Sequence, residues 1–71
     1  MHSENLVKMA NDISAFFASD CDHAAAVKGM ADHLTKFWDP SMRKAIICHY
    51  LEGGEGLSEL SKDAVKQLAA S

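Results

Sequence analysis

Cys21, His23, His33, Cys48 and His49 are the side chains of metal-ligand or nucleophile type that stand out in this sequence, and their spacing decides whether they can act together. A structural zinc site needs four converging ligands, usually spaced as Cys-x₂₋₄-Cys and His-x₃₋₅-His, and neither spacing occurs. Cys48 and His49 are neighbours, so on a helix they diverge by ~100° and cannot form one ligand pair. No metal-ligating set is expected. Neither cysteine sits in a context that would depress a thiol pKa, and two cysteines make at most one bridge, so both read as reduced thiols. The four histidines, His2 included, read as surface or boundary residues.

Gly53-Gly54-Glu55-Gly56 invites a phosphate-loop reading. The stretch follows a helical pattern, however, and lacks the Lys and Ser/Thr that a P-loop needs to reach phosphate and magnesium. Its glycines read as a helix stop that also permits close approach by another backbone. Ser41-Met42 at a helix start, in a small acidic chain, raises an acyl-carrier reading. Carriers have an adjacent Asp-Ser pair, and here Pro40 separates Asp39 from Ser41, so a freestanding carrier or regulatory module is the alternative rather than the main reading. Seven Lys and Arg stand against ten Asp and Glu, a net charge of −3. Nucleic-acid binding rests on clustered cations neutralising phosphates, and the single local cluster is Lys36, Arg43 and Lys44, so no nucleic-acid partner is expected.

The elements that must position these residues fit one domain, residues 1–71. A chain near 60 residues buries only about 60% of the surface its unfolded form exposes, so its core is marginal without outside support. The longest apolar run, Ala45 to Leu51 broken by His49, falls short of the roughly 20 residues of a membrane-spanning helix. Residues 1–11 lack the basic-then-apolar order of a secretory signal, and a cytoplasmic location is expected.

Leu6, Met9, Ala10, Ile13, Phe16 and Phe17 follow the i, i+3, i+4, i+7 template and predict an amphipathic helix. Ser3 or Asn5 is its expected N-cap, with Asp20 and Asp22 supplying the turn and the next cap. Val27, Met30, Ala31, Leu34, Phe37 and Trp38 repeat the spacing and predict a second helix. Asp39-Pro40 predicts the start of a third, because Asp caps free amides and Pro at the first helical position loses no intrahelical bond. That helix carries Met42, Ala45, Ile46, His49 and Tyr50 on one face and stops at Gly53-Gly54. A shorter fourth helix, capped by Ser58 or Ser61, carries Val65, Leu68 and Ala69. The expected fold is all-α, a small bundle of three main helices plus a short C-terminal one.

The third helix also places Ile47 and Leu51 away from its main face, so it is apolar on both sides. Either the fourth helix folds back over them or another protein covers them. Trp38, beside Pro40, Met42 and Arg43, likewise reads either as a partner anchor or as a core residue closing the corner between helices two and three.

Leu6-Val7-Lys8-Met9-Ala10-Asn11 with Phe16-Phe17, then His33-Leu34-x-x-Phe37-Trp38-x-Pro40-x-Met42-Arg43, then Gly53-Gly54-x-Gly56-Leu57, resemble the delta subunit of soluble NAD-dependent formate dehydrogenases. The resemblance implies a small accessory subunit of a cytoplasmic molybdenum enzyme, with no catalytic, cofactor or metal residues of its own. It implies that molybdopterin, iron–sulfur clusters, FMN and NAD are held by other subunits. The implied partner is the catalytic alpha subunit, with a homodimer as a weaker expectation for the isolated chain. Expected partner-binding residues are Phe37, Trp38, Pro40, Met42, Arg43, Ile47, Leu51, Gly53, Gly54, Gly56 and Leu57. In this reading Trp38 supplies buried area and Arg43 orients the contact.

Overall fold

Carboxylates and a hydroxyl open three of the four helices by accepting the amides that a helix start leaves unbonded. The computed structural model describes residues 3–70. In chain order its helices are α1 (Ser3–Phe17), α2 (His23–Phe37), α3 (Pro40–Leu51) and α4 (Glu59–Ala70), with no strand among the described residues. Asp22 accepts from the Ala24 and Ala25 amides and is itself fixed by Asp20, whose Oδ1 takes the Asp22 amide at 2.9 Å. Asp39 accepts from the Met42 amide at 2.9 Å, with Pro40 at the first helical position. Ser58 is the cap of α4, accepting from the Ser61 amide at 3.2 Å, whereas Ser61 lies inside the helix. Asn5 lies within α1 and is no cap; the side chain of Ser3, and His2, lie outside the described residues.

The core draws on every helix. Leu6, Met30, Leu34, Ile46 and Val65 are fully enclosed, each contributing about 1.5–3 kcal/mol relative to exposure. Around them pack Ala10, Ala26, Val27, Trp38, Leu57, Leu60, Ala64 and Leu68. The α2 stripe is as expected through Leu34, but Phe37, at the last turn, is exposed. In α1 the buried line runs through Leu6, Ala10 and Ser14, not through Met9 and Phe16, which face outward. Asn11 and Ser14 cause this rotation: both are polar, and both are turned inward by hydrogen bonds to the segment that starts α4.

α4 has twelve residues, as α3 does, against fifteen in α1 and α2. Its most extensive packing is against α2, and it buries Leu60, Ser61, Ala64, Val65 and Leu68, leaving Ala69 exposed. It also reaches α3. Ile47 lies half-buried near Leu68, while Leu51 is 72% exposed. The two coverings expected for the third helix therefore divide, with α4 over Ile47 in part and Leu51 left exposed among the described residues.

Candidate functional site

The turn after α3 is built by glycine. Gly53 and Gly54 have φ of +124° and +64°, and their amides bond the Tyr50 and His49 carbonyls at 3.1 and 3.0 Å, the paired bonds of a Schellman stop. Side chains then clasp the loop to the bundle. His49 Nε2 donates to the Glu55 carbonyl at 2.7 Å, and Asn11 Nδ2 donates to the Gly56 carbonyl at 2.8 Å. Asn11 Oδ1 accepts from the Ser58 amide at 2.9 Å and from the buried Ser61 hydroxyl at 3.0 Å. Gly54 and Leu57 are consequently interior, with Gly53 and Gly56 at the surface. This clasp was not anticipated, because hydropathy patterning gives no weight to a polar residue that turns inward.

The corner between α2 and α3 is only partly a surface. Trp38 is 6% exposed and belongs to the core cluster, so the core alternative holds for it. Phe37 and Pro40 are exposed, and Met42 and Arg43 are half-buried. Arg43 Nη1 donates to the Thr35 carbonyl at 2.9 Å, tying α3 to the end of α2. Asp39 accepts the Ser41 hydroxyl at 2.7 Å as well as the Met42 amide. These two donors, with Arg43 nearby, hold its carboxyl below the ordinary 3.8.

A more continuous aromatic surface runs from the end of α1 to the last turn of α2. Phe16 and Phe17 meet edge-on with ring centroids 5.2 Å apart, Phe17 lies 6.2 Å from His33, and His33 lies 4.6 Å from Phe37. Of these, Phe37 is among the expected partner residues, while Phe16 and Phe17 belong to the expected stripe of the first helix and, as neighbours diverging by ~100°, spread its apolar surface. Gly29, a glycine inside a helical pattern, was the available signal, since a Cβ there would stand 2.8 Å from Phe17 Cε1. Alanine would be the better helix former, so glycine at that place marks a close approach.

The titratable side chains do not converge. Among the described residues no group of three or more His, Cys, Asp or Glu is placed to hold a metal ion. Cys21 and Cys48 are free and exposed. His23 bonds Asp63 at 2.6 Å on the surface, joining the start of α2 to α4. Among the described residues no helix is long and apolar enough to cross a membrane.

Fold and surface thus define a small all-α domain whose most distinctive exposed feature is an aromatic face. Residues 5–65 match the family model described as NADH-dependant formate dehydrogenase delta subunit FdsD, and the chain belongs to that family. Comparison with the curated proteins and with the solved structures gives no match.

Proposed function

We propose that this chain is the non-catalytic delta subunit of a cytoplasmic NAD-dependent formate dehydrogenase, where it binds the catalytic alpha subunit and supports assembly, cofactor retention or stability. The observation that carries the reading is the family match across residues 5–65. The chemistry of the chain supports a binding role. Two exposed thiols, Cys21 in the loop before α2 and Cys48 in α3, are too few for an ordinary Cys₄ cluster. In this reading molybdopterin, iron–sulfur clusters, FMN and NAD are held by other subunits, and oxidation of formate proceeds there.

The physical means of support is linkage. A chain that binds only the folded form of a larger subunit stabilises that form by RT ln(1 + [L]/Kd), about 2.7 kcal/mol at a hundredfold excess over Kd. Phe37, Pro40, Leu51, Gly53 and Gly56 are the expected partner residues that reach the surface. Met42, Arg43 and Ile47 form the half-buried margin, and Trp38, Gly54 and Leu57 act from beneath by holding the corner and loop in shape.

The test is affinity capture of the tagged chain from cells that make the complete enzyme, with identification of the retained polypeptides and molybdenum analysis. Retention of a molybdenum-rich, cluster-bearing polypeptide is expected. Its absence under conditions that preserve formate dehydrogenase activity overturns the reading. The carrier alternative requires a modified Ser41, whose hydroxyl here donates to Asp39 at the α3 cap, and a pantetheine mass increment on that residue would reinstate it.

A further inference from the structure

Phe16, at 75% exposure, and Phe37, at 72%, stand at the two ends of the aromatic row that runs through Phe17 and His33. Rings in mutual contact are ordered before any partner arrives, which lowers the entropy lost on binding. Gly29 makes the row possible by letting Phe17 lie against the α2 backbone, at the expense of helix propensity. Between α1 and α2 the row opens into a groove of about 350 Å³ lined by Asp12, Ile13, Phe16, Phe17 and His33. Its lining is almost wholly apolar. Asp12 and His33 are its polar residues; His33 turns its ring to Phe17 and Phe37, and Asp12 is an exposed carboxylate for which no hydrogen bond or ion pair is found among the described residues.

An unpaired carboxylate at the lip of an aromatic groove has a definite complement. Ring faces attract a cation, the carboxylate takes a charge-assisted bond from it, and an aliphatic stem fills the apolar floor. A planar guanidinium meets all three demands better than an ammonium does. We infer that the groove between α1 and α2 receives an arginine-bearing apolar segment of the enzyme's catalytic subunit, with Asp12 pairing the guanidinium and Phe16 and Phe37 closing over its flanks. The inference rests on the delta-subunit reading. A second copy of the chain fits less well: its only arginine is Arg43, half-buried and already bound to the Thr35 carbonyl.

The experiment measures binding of the full chain to the purified catalytic subunit at low and high salt, for wild type and for Asp12→Asn, Phe16→Ser and Phe37→Ser. The three positions are exposed, so circular dichroism of the variants should match wild type. Each Phe variant is expected to bind at least about tenfold more weakly, the size of an interface hot spot. Asp12→Asn is expected to weaken binding at low salt and to flatten its salt dependence. Folded variants that bind as wild type does, at both salts, overturn the inference while leaving the accessory role standing. A wild-type chain that the subunit does not retain overturns both. Concentration-dependent self-association of the isolated chain, abolished by Phe16→Ser, makes a second copy the occupant and also overturns the inference.

Discussion

Trp38 shows how one residue answers to the space left around it. Its neighbours in sequence, Phe37 and Asp39, are exposed, yet the indole is enclosed with Leu34, Ile46 and Leu68 in one core cluster. Replacing it by Ala removes a large core side chain, a change that typically lowers stability by about 3–5 kcal/mol. A small domain has little more than that in reserve. Trp38→Ala is therefore expected to lose most of its helical ellipticity at 25 °C; retained helicity with impaired partner binding would return the residue to the surface. Asn11→Ala tests the clasp. It leaves the buried Ser61 hydroxyl and the Ser58 amide without their shared acceptor, and a loss of about 1–3 kcal/mol in denaturant unfolding is expected. The Asn11 clasp was illegible in the sequence for a physical reason: its value depends on groups about 45 positions away that only the fold brings within reach.

At the scale of the element the sequence was far more readable, because a helix start is a local event. Asp22, Asp39-Pro40 and Ser58 each act within three or four residues of themselves, and each caps as its local chemistry requires. Face assignment depended on tertiary context, so α1 came out rotated and α4 proved a full partner of α2. Since its folded pKa is depressed, the Asp39 carboxylate contributes stability that is fully present above the unfolded value, near 3.8, and is lost as pH falls through the lower folded value. The melting temperature of Asp39→Ala should thus lie below wild type by a constant gap near neutrality, and the gap should narrow below about pH 4. A gap that stays constant down to pH 2 would exclude this role for the charge. Gly29→Ala is the second test at this scale. Alanine gains about 1 kcal/mol of helix propensity but collides with the Phe17 ring, so stability should change little while the aromatic row breaks. The expected signature is loss of the Phe17 ring-current shift on the His33 protons in NMR spectra.

For the whole molecule the governing fact is size. The described residues enclose one core fed by all four helices, so its core amides are expected to exchange with solvent mainly through global opening. Binding acts on that equilibrium as a unit. A partner that recognises only the folded chain adds the same RT ln(1 + [L]/Kd) to every amide whose exchange requires unfolding, wherever the contact lies. Hydrogen exchange followed by mass spectrometry of the chain, alone and with saturating catalytic subunit, is therefore expected to slow to a similar degree in the cores of α1, α2, α3 and α4. Additional slowing should appear only where the contact also closes local fraying. At a hundredfold excess over Kd the common factor is about a hundred in rate. Slowing confined to one helix would mean that the bundle already opens piecemeal and that its cohesion does not come from a single core. Unchanged exchange throughout, with the subunit present in excess, would mean that the partner gives the fold nothing, and the accessory role would have to be sought on another polypeptide.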